Sequence, residues 1–198
     1  MLPLILGIVV FFAVHLVPTS PGLRNGLAER FGEGPYKAAF SLISLAGFAL
    51  IVAGYHKLQL MPGKNPVLWT PPELMRHFAA LLMLPSMILL AAAYIPSRIR
   101  TGARHPMLAA VKLWALAHLL VNGDLGAVLL FGSFLAYAIY DRISVKERAA
   151  AGPLGARTGG LAGDLAAIGI GIALYLFMLL MGHGLLIGVP ILNPSFAP

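Results

Sequence analysis

Between Arg104 and Asp124 the chain reads Arg-His-Pro-Met-Leu-Ala-Ala-Val-Lys-Leu-Trp-Ala-Leu-Ala-His-Leu-Leu-Val-Asn-Gly-Asp, an apolar span carrying two histidines, a lysine and a turn signal. Ionisable side chains are expensive inside lipid, so each points to a function and to a partner. The imidazoles of His105 and His118 can ligate a metal, the Lys112 ammonium needs a carboxylate, and Asp124 after Asn122-Gly123 suits a helix N-cap. On a helix, His118 shares a face with Val111, Trp114, Ala115 and Asn122 by spacings of three, four and seven. The chain has no cysteine, which excludes disulfides, thiolate ligands and cysteine nucleophiles. Any bound metal falls to histidine, methionine or carboxylate. No Ser-His-Asp order, metalloprotease spacing or phosphate-binding loop is present.

The elements around these residues are those of a membrane protein. Apolar residues make up 59% of the 198, charged ones 11%, and mean hydropathy is +0.87, well outside the range of soluble globular domains. The length suits one domain, 1–198, an all-α polytopic transmembrane bundle of about six spans at about 20 residues each. Met1 to Pro18 lacks a charged start and predicts a retained first helix rather than a cleaved leader. Pro18, Pro21 and Gly22 then break the span before a short interfacial helix over Leu23–Gly32. Further spans are predicted from Pro35 to His56, from Pro72 to Tyr94 with a kink at Pro85, and from Pro106 to Val121. The last two cover Leu125–Tyr140 and Leu161–Gly184. Arg98, Arg100 and Arg104 read as a basic loop, and Asp141–Gly160 as a basic connector. Gly126, Gly132, Gly163, Gly169 and Gly171 read as close helix packing.

The net charge of +7 does not point to nucleic acid, because the basic residues lie between apolar spans and form no stripe interleaved with aromatics. Ten of the 14 follow spans one, three and five and three follow spans two and four, which predicts both termini on the outer side of an inner membrane. At about 1.5 Å per residue, His77 and His118 then lie at a common depth near the outer surface. His77 is the geometric partner of His118, or else an edge histidine beside Arg76 that meets headgroups. His56 and His183 fall at the same outer edge, His15 and His105 at the inner one. Asp164 is the one carboxylate inside a span at the depth of Lys112, and the two are expected to pair.

The Arg104–Asp124 stretch, with His15-Leu16, Pro18, Pro21, Arg24 and Arg76-His77, resembles the NnrU family of membrane proteins, whose relatives include 15-cis-zeta-carotene isomerase. In that isomerase the haem b ligands are a first-span histidine and one in the equivalent of Trp114-Ala115-Leu116-Ala117-His118. The resemblance thus implies iron ligation by His15 and His118, in a pocket between spans one, three and four. It further implies a role in nitrite and nitric oxide metabolism or the haem-dependent isomerisation of a lipophilic polyene. Partners would be the lipid bilayer and a lipophilic small molecule or a redox protein.

A second resemblance starts from Arg104-His105-Pro106 with Arg142-Ile143 and Glu147. In outline these are similar to the isoprenylcysteine and phospholipid methyltransferases, which bind S-adenosylmethionine beside such a motif. Lys146 stands where one of the paired glutamates would be. A membrane scaffold without cofactor is the third reading.

Overall fold

The computed structural model describes residues 1–61, 63–148, 154–155 and 157–192, and these are helical apart from short links. Two compact units emerge, Met1–Pro66 and Val67–Pro198, each described by itself.

In the first unit, α1 (Leu2–Leu16) has Pro3 in its first turn and runs into a tight turn, Val17–Thr19, at Pro18. Pro21 then opens α2 (Pro21–Phe31), the expected short helix, and Gly32 ends it at φ 88°, a backbone state reserved for glycine. The long α3 (Glu33–Gln59) packs on α1 through glycines that bring backbone against backbone. A Cβ on Gly7 would sit 2.6 Å from the Ile51 amide nitrogen, and one on Gly47 would sit 2.8 Å from that of Phe11. One on Gly54 would collide with the backbone of Leu4. Little separates two apolar helices from lipid tails except such close packing.

The second unit begins with Val67–Trp69, a short extended segment, and α4 (Leu74–Ala92), which continues through Pro85. Proline has no amide proton to give to the preceding turn. Next to it, buried Ser86 donates its hydroxyl to the Ala110 carbonyl at 2.8 Å, tying α4 to α6 (Pro106–Val121). The stretch expected as a basic loop holds a helix, α5 (Arg98–Ala103), because the Ser97 side chain caps it by accepting from the Arg100 amide. After α6 come α7 (Leu125–Glu147), α8 (Leu161–Phe177), a π-helical turn over Met178–Gly182, and α9 (His183–Ile187). Helix α7 runs two turns beyond the expected Tyr140, into the charged stretch that ends at Glu147. The remainder of the expected connector falls in part on residues 149–153 and 156, outside the described residues.

The Asn122-Gly123 turn signal is resolved differently from a tight turn. Neither residue takes a positive φ, Asn122 and Asp124 are extended, and the Gly123 carbonyl accepts from the amides of Leu68 and Trp69. Gly123 lies so close to the Trp69 backbone that no Cβ would fit. Asp124 does cap α7, its Oδ1 accepting from the Ala127 amide at 2.8 Å. Asp124→Ala is therefore expected to lower stability by about 1 kcal/mol, read from thermal unfolding in detergent.

Of the small residues expected at helix contacts, Gly171 lies against the Ile88 backbone and Gly163 against Pro96, whereas Gly132 and Gly169 face open space. Five segments are long and apolar enough to cross a membrane, Leu2–Thr19, Glu33–Gln59, Leu74–Ala92, Leu125–Glu147 and Leu161–Ile187. The sixth expected span, Pro106–Val121, is shorter. Exposed Leu165, Ile170, Ile172 and Leu176 on α8 are the outward side chains of a helical membrane bundle.

Candidate functional site

His118 lies in the last turn of α6, which proline opens and Asn122 closes by turning its side-chain amide back onto the His118 carbonyl at 2.9 Å. The imidazole Nδ1 lies 2.8 Å from the Trp114 carbonyl one turn earlier. A carbonyl only accepts, so Nδ1 carries the proton and Nε2 keeps the lone pair, the form in which histidine binds metals. The ring stacks on Phe131 of α7 with centroids 4.4 Å apart, and Trp114 stands beside it at 5.1 Å. Trp114 in turn meets Phe131 and Phe134 edge-on at 5.0 and 5.4 Å. Ala115, which shares a helix face with His118, is 0% exposed, so its small side chain serves close packing. The other imidazole near His118 belongs to His183, 6.3 Å away between centroids with the ring planes 16° apart.

His15, in the first unit, is built in the same way. Its Nδ1 lies 2.7 Å from the Phe11 carbonyl one turn earlier, and its ring stacks on Phe11 at 3.9 Å with Phe40 at 5.2 Å. His77 is exposed in the first turns of α4. The rings around His118 come from α6, α7 and α9, and α4 packs along the same helix α6.

The expected Lys112–Asp164 pair is not formed. Asp164 caps α5 from its place on α8, accepting from the amides of Arg98 at 2.7 Å and Ile99 at 3.2 Å, with the Arg98 guanidinium 3.5 Å away. The first turn of a helix offers unpaired amides and a partial positive charge, and these hold a carboxylate as well as an ammonium would. Beside this contact, buried Arg100 donates to the carbonyls of Gly155 and Arg157. Asp164→Ala is expected to destabilise by about 2 kcal/mol. Lys112→Met should add to it independently in the double variant, within about 0.5 kcal/mol by thermal unfolding.

At the other end of α6, His105 is the N-cap residue, yet its side chain makes no capping bond. Burial holds its imidazole below the usual range, and the neighbouring Arg142 pushes the same way. Asp141 is the carboxylate that acts on it, and Asp141 is itself bonded to Arg148. Glu147 and Lys146 are exposed. Arg142 thus comes near His105, while the carboxylate beside the pair is Asp141 and not Glu147.

Among the described residues no group of three or more His, Asp or Glu side chains is placed to hold a metal ion. A family model described as NnrU protein matches residues 3–191. The chain belongs to the NnrU family. The NnrU match takes in both units and all six histidines. No curated protein and no solved structure matches the chain. The side chain that sequence reasoning set aside is His183. Its signals were a position at the depth of His118 and glycines on both sides.

Proposed function

We propose that this NnrU-family membrane protein holds haem b through His118 and acts in nitrite and nitric oxide metabolism. The observation that carries the reading is the His118 ring, fixed by the Trp114 carbonyl so that Nε2 is its basic nitrogen, within an aromatic wall. Haem suits a site with few ligating side chains, because the porphyrin supplies four nitrogens and asks the protein for one or two axial groups. When bound, haem would supply one-electron chemistry. His118 would bind the iron, Phe131 and Trp114 would keep water from it, and Asn122 holds the end of α6 that carries the ligand.

Isomerisation of a lipophilic polyene is the second reading, favoured by Trp114, Phe131 and Phe134, which make an apolar aromatic lining next to His118. Methyl transfer draws less support, since Glu147 is exposed and Asp141 is engaged by Arg148. Spectroscopy of the detergent-purified protein separates haem binding from a scaffold. A Soret band is expected, and its absence after haem is supplied in excess would defeat the proposal.

The basic residues support an inner membrane of bacterial type with both termini outside. Terminal tags are expected to react with an impermeant reagent once the outer membrane alone is opened. Labelling that requires disruption of the inner membrane would reverse the orientation.

A further inference from the structure

The Arg104 end of α6 gathers cations that haem binding does not use. His118 stacks on Phe131, and Trp114 meets Phe131 and Phe134, so α6 and α7 run antiparallel in a fixed register. Continued towards the start of α6, that register sets Arg104 and His105 level with residues 142–148. After burial, Arg142 is the foremost influence on the His105 imidazole, ahead of Asp141, Arg148 and Arg104. The carboxylate in this group is engaged, since Asp141 accepts from Arg148, which also donates to the Ser144 hydroxyl at 2.9 Å. The side chains of Arg104, Lys112 and Arg142 form no hydrogen bond or ion pair with any other described residue.

Lys112 joins this set from within the span. It shares a face of α6 with His105 and lies about 9 Å along the axis from Pro106. That face turns away from both neighbours of α6. Ala110 and Ala117, on the side that Ser86 of α4 reaches, are buried, and His118 stacks on α7, whereas Leu116, one turn past Lys112, is 41% exposed. Side chains on a helix slope towards its N-terminus, so the lysine stem carries its ammonium towards Arg104 and His105. Arg104 is exposed and adopts φ 59°, the one positive φ outside glycine among the described residues. Glycine would take that state without strain, and what it would lack is the guanidinium.

We propose that Arg104, Lys112 and Arg142 bind the phosphate of an anionic phospholipid in the leaflet at that end, with an acyl chain along the Leu116 face of α6. Charge complementarity selects this occupant. Cations without a carboxylate partner call for an anion, and at the edge of a bilayer the abundant anion is a lipid headgroup. Guanidinium groups grip two phosphate oxygens at once, and an ammonium adds a point charge. The order along the face matches the molecule, with cations at the end of the span and apolar Leu116 and Leu119 beyond them. All of these residues belong to the Val67–Pro198 unit, and none depends on the haem reading of His118.

The test compares wild type, Lys112→Gln, Arg142→Gln, Arg104→Gly and Lys146→Gln, each full length, purified in neutral detergent and offered equal amounts of phosphatidylglycerol and phosphatidylcholine. Native mass spectrometry reports the retained lipid, and thermal unfolding reports the fold. The wild type is expected to retain phosphatidylglycerol in preference to phosphatidylcholine. Lys112→Gln and Arg142→Gln should each weaken that retention about fivefold. Arg104→Gly should weaken it likewise while the thermal midpoint holds or rises, because glycine relieves the backbone at φ 59°. Lys146→Gln removes an exposed cation from the same end and should leave retention unchanged. Equal retention of the two lipids by the wild type overturns the proposal. So does a loss in Lys146→Gln as large as in Lys112→Gln, which would show a diffuse basic surface, or wild-type retention in both Lys112→Gln and Arg104→Gly. Displacement of the lipid by inorganic phosphate at equal concentration would make the free anion the ligand and overturn the lipid assignment.

Discussion

Replacing His118 by alanine is expected to lower haem content at least about tenfold while the helices stay intact. The side chain lies at the end of α6, where the helix is closed independently by Asn122 and followed by the Asp124 cap of α7. Its removal leaves Trp114 in edge contact with Phe131 and Phe134, so the aromatic wall has contacts that do not pass through the imidazole. Haem per polypeptide and far-ultraviolet circular dichroism check the two halves of the statement. Loss of helicity in step with loss of haem would make His118 a packing residue. Unchanged haem would remove it from the site.

The largest stability effect is expected in the first unit. Gly54→Leu should cost about 3 kcal/mol or more, because the new side chain meets the Leu4 backbone, which cannot rotate aside as a side chain can. Buried Leu4 and Ile51 lie along the same contact and would lose their packing as α1 is pushed off α3. Gly26→Ala is the control. It lies inside α2, a Cβ there meets nothing within 4 Å, and alanine should stabilise the helix by up to about 1 kcal/mol. Thermal unfolding in detergent, with monodispersity before heating, distinguishes the two. Equal behaviour of both variants would show that the glycine seam does not hold α1 to α3.

Where apolar runs are bounded by proline, glycine or aspartate, sequence and structure agree closely. Pro106–Val121 is a helix with the predicted ends, and Asp124 is the N-cap it was read to be. Charge misled the reading elsewhere. Asp141–Glu147 is polar enough to look like a connector, yet Arg142, Lys146 and Glu147 are good helix formers, and Arg148 reaches back one and two turns to Ser144 and Asp141 as α7 continues. Arg98–Ala103 was hidden in the same way, and with it the partner of Asp164, since a carboxylate that binds backbone amides leaves no complementary side chain to find. His183 escaped for a different reason. A period of 3.6 residues assigns faces only while the helix stays regular, and the π-helical turn before His183 resets the phase in a way no apolar pattern reports. His118 was legible as a candidate because it lies in an apolar run one turn after Trp114, whereas His15 was reached only through the family resemblance.

Helix α6 has 16 residues, which at about 1.5 Å each reaches about 24 Å against a hydrocarbon core of about 30 Å. The chain beyond it is extended, and the Gly123 carbonyl is taken by Leu68 and Trp69 rather than by water. Non-helical backbone is tolerated at such depth only when its polar groups are satisfied by protein. Mismatch of this kind is relieved by locally thinning the bilayer. The lipid surface should therefore dip beside Trp69, shortening the path from the aqueous phase to His118 and drawing the protein towards thinner membranes.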